Sequence, residues 1–302
     1  MPHSGILLVD KPAGLTSHDV VARVRRAFGT RKVGHAGTLD PMATGLLVIG
    51  IEGATRLLTY IVGADKTYEA TIRLGQATTT DDAEGEIQTT ATAEALVAAT
   101  PARIAAGVAA LRGEISQVPS AVSAIKVDGR RAYDRVRAGE DVVLKARAVT
   151  VSRFDVLDER EARDAAGNPV RDLDVIVECS SGTYIRALAR DLGAGLGVGG
   201  HLTRLRRTRV GAFDVADAVG IDGLDPARAM PAATAAVAVL PRLDVTADEA
   251  RDLRHGKRLS GAAGRVPVTP AAAIDPAGAL IGVVETRGSD IKSSMNMPEE
   301  SA

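Results

Sequence analysis

The chain has 302 residues, of which 45% are hydrophobic and 25% are charged. This length exceeds what one hydrophobic core usually supports, so we expect a larger domain and a smaller one. A single cysteine, Cys179, excludes an intramolecular disulfide, and five scattered histidines give no metal-ligand spacing. The sequence shows neither a secretory leader pattern nor an apolar run of about 18 to 20 residues. We therefore expect a soluble cytoplasmic protein.

The net charge of −1 taken alone argues against a nucleic-acid-binding protein, but the charges are segregated along the chain. Segments 1–60 and 120–150 each hold seven Lys or Arg against four Asp or Glu, and segment 184–211 holds six against one. Together these segments carry +11, so the remainder carries −12. If the three segments meet in the fold, they form a cationic face suited to an anionic partner.

The first sixty residues predict two buried strands, a helix and a loop. Apolar runs at 6–9 and 46–49 are typical of short buried strands. Thr16 and Asp19 form a capping-box pattern that begins a helix, and Gly29 supplies its stop. Between this helix and the second strand runs a glycine-punctuated loop, 34–45, which contains Asp40 followed by Pro41.

The rest of the chain continues to interleave strands and helices. Strict alternation predicts strands at 67–74 and 173–179, and the second leads through a Ser-Gly turn into a helix from residue 185. An Ala-rich helical stretch at 94–111 is expected to be interrupted at Pro101 and Gly107. A Gly, Pro and Ala-rich linker is expected around 220–241. Because no regular βαβ period exists, the pattern favours an α+β fold with a mixed, largely antiparallel central sheet flanked by helices.

Asp40 has two interpretations. An Asp before a Pro commonly starts a turn in which its carboxylate accepts a backbone N–H, and this is the simpler interpretation. The flanking Gly34 and Gly45 also permit close approach of a large ligand, which would suit a catalytic carboxylate. His35 in the same loop is open to the same choice between a polar loop residue and a functional one.

Arg186 is more informative, because it falls in the first turn of the predicted helix, where the helix dipole disfavours a cation. It therefore requires an anion, either a substrate phosphate or a nearby carboxylate, unless it lies over an apolar surface. Tyr68 and Tyr184 stand out because the chain has four Tyr, three Phe and no Trp. The alternation alone places Tyr68 toward the core.

Two basic runs have a functional and a structural interpretation. Segment 201–209 holds Arg204, Arg206, Arg207 and Arg209, which predicts either a phosphate-binding strip or a solvated face. Segment 126–137 resembles an exposed arm able to lie along a nucleic-acid backbone. A formal G-x-G-x-x-G at 195–200 follows a helix instead of opening one, so it does not predict a dinucleotide site.

Six motifs resemble, in order, those of the TruB branch of the pseudouridine synthases. They are Asp10-Lys-Pro-Ala-Gly-Leu-Thr-Ser17, Gly34-His-Ala-Gly-Thr-Leu-Asp-Pro41, Lys66-Thr-Tyr68, Pro119-Ser-Ala-Val-Ser-Ala-Ile-Lys126 with Gly129 and Ala132-Tyr133, Gly182-Thr-Tyr-Ile-Arg186, and Leu205-Arg-Arg207. The family usually has Thr where this chain has Ala36. The resemblance implies a catalytic domain over 1–235, with an RNA-gripping insertion at about 118–150. It also implies a small C-terminal RNA-binding PUA-like domain over 242–302.

The resemblance further implies conversion of uridine 55 in the T-loop of tRNA to pseudouridine by base flipping, without metal or cofactor, by a chain expected to be a monomer. Asp40 would be the nucleophile, Arg186 would pair with it, and Tyr68 would stack on the flipped base. Leu205 would pack against the uracil and His35 would fill the vacated place. Further substrate contacts are expected from Lys11, Lys66, Lys126, Tyr184, Arg204, Arg206 and Arg207.

Two rival functions remain open from the sequence. An RNA-guided rRNA synthase would keep the fold and change the partner, whereas a non-enzymatic RNA-binding or tRNA-folding protein would need the basic segments but not Asp40. Modification of tRNA without a guide RNA would exclude the first rival. Loss of function in an Asp40→Asn variant would exclude the second.

Overall fold

The computed structural model describes residues 4–120, 126–127, 130–131, 144–266 and 268–298, with the backbone alone at 126–127 and 130–131. The helices are α1 (Ser17–Ala27), α2 (Leu58–Val62), α3 (Ala93–Ala98), α4 (Pro101–Ala110), α5 (Ile185–Leu196), α6 (Ala232–Val239) and α7 (Ala247–Arg254). Two compact units are present, one formed by Met1–Ala64 with Arg209–Ala302 and the other by Asp65–Thr208.

The strands, in chain order, are β1 (Gly5–Lys11), β2 (Val33–Ala36), β3 (Thr44–Ile51), β4 (Lys66–Leu74), β5 (Gln76–Thr78), β6 (Ile87–Thr90), β7 (Gly113–Gln117), β8 (Lys126–Val127), β9 (Arg130–Arg131), β10 (Arg147–Arg163), β11 (Pro169–Cys179), β12 (Gly200–Val210), β13 (Phe213–Asp214), β14 (Val219–Gly220), β15 (Met230–Pro231), β16 (Arg242–Asp244), β17 (Ala271–Ile274), β18 (Leu280–Arg287) and β19 (Asp290–Asn296). The strands predicted at 6–9, 46–49, 67–74 and 173–179 correspond to β1, β3, β4 and β11, so these predictions are confirmed.

In the first unit, β1 lies at the centre of a mixed sheet. It pairs antiparallel with β3 and β15 and parallel with β14, while β2 pairs antiparallel with β3. One face of the sheet is covered by the apolar side of α1, where Val20, Val21 and Val24 pack. The predicted capping box is present, because Thr16 and Asp19 each accept a hydrogen bond from the other's backbone N–H. Because β1 is covered on both faces, its sequence is a continuous apolar run.

The C-terminal residues of this unit form their own four-stranded sheet in the order β16-β17-β18-β19. β16 and β17 are parallel, and the other neighbours are antiparallel. On one face of this sheet, Ile281 packs in the same core as Leu253 of α7. On the other face, Ile274 and Val283 pack against the first sheet. The expected linker is wrong in part, since α6 occupies Ala232–Val239 and buries Ala235 and Ala236 in the same core. The proposed domain boundaries stay a prediction.

The second unit is built on an antiparallel sheet in which β4, β11, β10 and β7 follow one another, with β12 beside β4. Tyr68, Ala70, Ile72 and Leu74 are buried, as the alternation predicts. Mixed and antiparallel sheets combined with helices confirm the α+β fold class.

Helices α3 and α4 replace the single Ala-rich stretch. The break at Pro101 is confirmed, because Thr100 caps α4 and Pro101 occupies its first turn. The break expected at Gly107 is wrong, since α4 continues to Ala110. A Cβ at Gly107 would lie 2.8 Å from Leu192 Cδ1, so the glycine allows α4 to pack closely on α5.

Candidate active site

Asp40 lies in the loop that joins β2 to β3 in the first unit. The residue is half-buried, and its carbonyl accepts a hydrogen bond from the Ala43 N–H at 3.1 Å. The loop is therefore turned tightly just after the carboxylate. Such a turn presents Asp40 at the ends of two strands, which is a rigid support for a functional side chain.

Lys11, at the end of β1, ties this loop to the preceding one. Its side chain is fully buried, and the ammonium donates to the carbonyls of Leu15 at 2.7 Å, Pro12 at 3.0 Å and Pro41 at 3.3 Å. The Gly14 N–H donates to the same Pro41 carbonyl at 2.9 Å. The location of Lys11 favours a supporting role under the loop over the substrate contact expected from the sequence.

Ser17 supports the other side of the loop. Its fully buried hydroxyl donates to the Leu39 carbonyl at 3.1 Å and accepts from the Leu39 N–H at 2.9 Å. Both backbone groups of the residue before Asp40 are thus bound by one side chain. Sequence reasoning missed this role, because neither the motif that ends at Ser17 nor the capping-box pattern beside it shows a hydrogen bond to Leu39.

We predict that Ser17→Ala lowers the free energy of unfolding by about 2 kcal/mol, because the two buried backbone groups of Leu39 lose their partner. Alanine suits the first turn of a helix, so α1 itself should persist. Turnover should fall more than substrate affinity, since the loop that carries Asp40 would shift. Urea unfolding and steady-state kinetics measure the two effects. Ser152→Ala, at an exposed serine, is the control and should change stability by less than about 0.5 kcal/mol.

His35 is a half-buried residue of β2. Its ring meets that of His18, in the first turn of α1, edge to face, with centroids 5.7 Å apart and an interplanar angle of 83°. The contact joins the first turn of α1 to β2, the strand that leads into the loop of Asp40.

In the second unit, Arg186 is held by a carboxylate. Its guanidinium pairs with Asp82 at 3.2 Å and donates to the Thr80 carbonyl at 2.9 Å, and both side chains of the pair are nearly fully buried. The anion that the helix dipole demands is thus supplied by the acidic loop between β5 and β6. The sequence analysis did not identify this loop as the source of the anion.

The same acidic loop makes a second ion pair with α5. Arg190, one helical turn after Arg186, pairs with Asp81 at 3.2 Å, and Asp81 also accepts from the Ser120 hydroxyl at 2.7 Å. Asp81 has a positive φ of 59°, a conformation that Asp tolerates better than most residues. Two adjacent aspartates therefore hold two arginines on one side of α5.

The start of α5 is fixed by Gln117, a second residue that sequence reasoning missed. Its buried amide accepts from the Tyr184 N–H at 2.8 Å and donates to the Tyr184 carbonyl at 3.0 Å. Tyr184 itself is half-buried. The N–H and the carbonyl of Tyr184 are therefore both bound, which orients the first turn of the helix that carries Arg186.

Tyr68 and Lys66 lie on β4, opposite Val177 and Cys179 of β11. Tyr68 is 8% exposed and Lys66 is 4% exposed. Burial, and then repulsion from the Arg207 guanidinium, lower the pKa of Lys66 to about 8. A cation at this place is therefore easier to neutralise than an ordinary lysine.

The depressed pKa of Lys66 predicts a pH effect on stability. Between the folded pKa of about 8 and the ordinary lysine pKa of 10.5, the unfolded chain binds more protons at this site, so the contribution of Lys66 to stability rises with pH. Lys66→Met removes the group and its pH dependence. Urea unfolding of both proteins is measured from about pH 7 to pH 10.5. The free energy of unfolding of the natural chain should rise relative to that of the variant as pH rises. A difference that is constant with pH would contradict the assignment.

The basic strip of β12 is divided by the alternation of the strand. Arg204 is exposed and Arg206 is half-buried, whereas Leu205 and Arg207 are buried at 6% and 1% exposure. Arg204 donates to the Thr71 hydroxyl at 3.4 Å. Arg204 and Arg206 are therefore accessible to a phosphate, whereas Arg207 is buried.

Several expected site features remain predictions. Asp40 and His35 belong to the first unit, and Tyr68, Arg186 and Leu205 to the second, so the pairing of Asp40 with Arg186 stays a prediction. The side chain of Lys126, and most of the insertion at about 118–150 with Tyr133, lie outside the described residues.

Two kinds of feature are absent from the described residues. They contain no group of three or more His, Cys, Asp or Glu side chains that could hold a metal ion. None of the helices in the described ranges is long and apolar enough to cross a membrane.

Three family models match the chain one after another. The model "TruB family pseudouridylate synthase (N terminal domain)" matches residues 25–185. It is followed by "tRNA pseudouridylate synthase B C-terminal domain" over residues 186–243 and by "tRNA Pseudouridine synthase II, C terminal" over residues 240–298.

Relatives of known name cover almost the whole chain. A protein of Leifsonia xyli subsp. xyli (strain CTCB07), named tRNA pseudouridine synthase B, is 62% identical over 299 residues, which are 98% of this chain and 97% of that protein. A protein of the same name from Arthrobacter sp. (strain FB24) is 56% identical over 292 residues, 94% of each chain.

A solved structure shares the fold. A chain in the crystal structure of a Cbf5-Nop10-Gar1 complex superposes with a TM-score of 0.69 at 24% identity, over 97% of this chain and 85% of that one. Since the first family model matches more than half of the residues and the two named relatives are covered nearly end to end, the chain belongs to the TruB family of pseudouridylate synthases.

Proposed function

We propose that this chain converts a single uridine of tRNA, at position 55 in the T-loop, to pseudouridine, with Asp40 as the nucleophile. The observation that carries the proposal is the support of the Asp40 loop. Lys11, Gly14 and Ser17 fix the backbone on both sides of a half-buried carboxylate, as covalent catalysis requires.

The reaction is an isomerisation in which every atom is accounted for. The bond between N1 of uracil and C1′ of the ribose breaks, and a bond between C5 and C1′ forms. The hydrogen of C5 leaves as a proton, and N1 gains one. Asp40 attacks either C1′, from which formation of the C5–C1′ bond displaces it, or C6, from which it is eliminated after that bond has formed. The carboxylate is regenerated by either route. No oxidant or reductant is consumed.

The target base must leave its stack before Asp40 reaches it, at a cost of a few kcal/mol. Tyr68 would stack on the flipped ring and Leu205 would pack against it, while His35 would occupy the vacated place. The three side chains are buried or half-buried on strands, so little conformational entropy would be lost on binding.

Arg186 would orient the Asp40 carboxylate and keep it ionised. The buried pair with Asp82 supports this role, because it fixes the guanidinium before substrate arrives. A guanidinium has five N–H donors, so an arginine bound to Asp82 and Thr80 can still serve a second carboxylate. We expect the chain to act on tRNA as a monomer in the cytoplasm.

The test is to incubate the purified chain with an unmodified tRNA transcript and no guide RNA, then to locate pseudouridine by mass spectrometry. The expected product has one pseudouridine, at position 55, and a transcript with cytidine there should gain none. A chain that modifies only guided RNA, or that binds tRNA without modifying it, would overturn the proposal.

A further inference from the structure

Helix α1 carries positive charge on the side that faces away from the core. Segment 17–32 holds five Lys or Arg and a single acid, Asp19. That acid is engaged at the start of the helix by the backbone N–H and the hydroxyl of Thr16. Arg23, Arg25 and Arg26 are all exposed, and so is Arg31 just beyond the helix.

These cations differ from Arg153 and Arg160, two exposed arginines of β10. Arg153 pairs with Asp155 and Glu178, and Arg160 pairs with Asp174, so their charge is balanced locally. Among the described residues, no carboxylate forms an ion pair with Arg26 or Arg31. An unbalanced cationic surface on a chain of net charge −1 indicates an anionic partner.

The surface begins next to the loop that holds Asp40, because Ser17, the residue before His18, binds Leu39 of that loop. His18 touches His35 of β2, and the Arg25 guanidinium donates to the Val33 carbonyl at the other end of the same strand. The two α1 residues are seven positions apart, or about 10 Å along the helix axis. We name His18, Ala22, Arg25, Arg26 and Arg31 the α1 cationic face. This face extends from the loop that holds Asp40 toward the end of α1.

The composition of the face indicates which anion it suits. Proteins that bind single-stranded nucleic acid offer aromatic side chains on which bases stack, and beyond His18 the exposed residues of α1 are Ala, Arg and one Asp. Double-helical RNA is bound through its phosphates and 2′-hydroxyls, for which guanidinium groups are suited. The face therefore favours a duplex.

We infer that the α1 cationic face binds the phosphates of the double-helical RNA stem adjoining the loop that carries the target uridine. The inference rests on the proposed function, because Asp40 fixes where that loop lies. The contact adds affinity and orients the stem, and it takes no part in the chemistry.

The first test is Arg25→Gln combined with Arg26→Gln, compared with Arg153→Gln combined with Arg160→Gln. Both double variants lose two positive charges, so a general effect of net charge is matched. Binding to a stem-loop RNA is measured over a range of salt concentrations. The α1 variant should reduce the slope of log affinity against log salt by about 1 to 2, and the control should keep the slope of the natural chain.

A second pair of variants leaves the native cations in place. Ala22 is exposed in the middle of the face, and both Glu and Gln are good helix formers. Ala22→Glu should weaken stem-loop binding about tenfold by repelling phosphates, and Ala22→Gln should bind as the natural chain does. The loop sequence supplied as a single strand should bind both variants equally.

The outcomes separate this inference from the proposed function. An unchanged salt slope in the α1 double variant, or equal stem-loop binding by Ala22→Glu and Ala22→Gln, overturns the role of the face even if pseudouridine is formed. Absence of pseudouridine with the natural chain overturns the proposed function, whatever the variants bind.

Discussion

Asp40→Asn is expected to bind unmodified tRNA almost as well as the natural chain and to form no pseudouridine. Asparagine has nearly the same size and keeps the turn before Pro41, but its amide is not a nucleophile. We expect turnover to fall at least about 1,000-fold, which corresponds to about 4 kcal/mol of lost transition-state stabilisation. Mass spectrometry of the tRNA and a filter-binding assay measure product and affinity separately.

The matched control for this variant is Asp225→Asn. Asp225 also precedes a proline in the same unit, and its carboxylate accepts the Ala227 N–H at 2.8 Å in an ordinary turn. Asparagine can accept the same hydrogen bond, so turnover should not change. Residual turnover of Asp40→Asn above a few per cent would contradict the role of nucleophile.

Arg186→Lys is expected to lower turnover about 100-fold with a smaller loss of tRNA affinity. Lysine keeps the charge but loses the planar fork that can serve two acceptors at once. The ammonium cannot keep Asp82 and Thr80 and also orient a second carboxylate with the same geometry. Arg190→Lys is the comparison, at a partly exposed residue one turn further along α5, and it should lower turnover much less.

Asp82→Asn tests the same pair from the other side. Breaking a buried ion pair by removing one charge costs about 3 to 5 kcal/mol of folding free energy, and turnover should fall as it does in Arg186→Lys. Urea unfolding gives the first quantity, and single-turnover kinetics give the second. Unchanged turnover in both variants would show that the pair serves the fold alone.

The strands and capped helices were predictable because their signals are local. Alternation located β4 and β11, and the Thr16–Asp19 pattern located the start of α1. The linker expected around 220–241 failed in part because Gly, Pro and Ala are typical of loops, whereas the run of alanines in α6 packs against the core. The break predicted at Gly107 was wrong because close packing on Leu192 outweighs the low helix propensity of glycine.

The site was predictable only in part, because its contacts join distant positions. The sequence shows that Arg186 needs an anion, but Asp82 lies more than 100 residues earlier, in a loop without a motif of its own. Ser17 and Gln117 bind backbone groups of Leu39 and Tyr184, and backbone partners leave no pattern in a single sequence. The family resemblance identified Asp40 as the candidate nucleophile. The structure showed that Lys11 and Ser17 bind the backbone of its loop.

The most direct measurement of the central claim is release of tritium from tRNA labelled at C5 of uridine. Isomerisation at a single uridine frees the C5 hydrogen of that base alone. With the purified chain and no guide RNA, we predict release of one tritium per tRNA when the reaction is complete. Release of none by a chain that binds the tRNA, or the same release from a transcript with cytidine at position 55, would contradict the account.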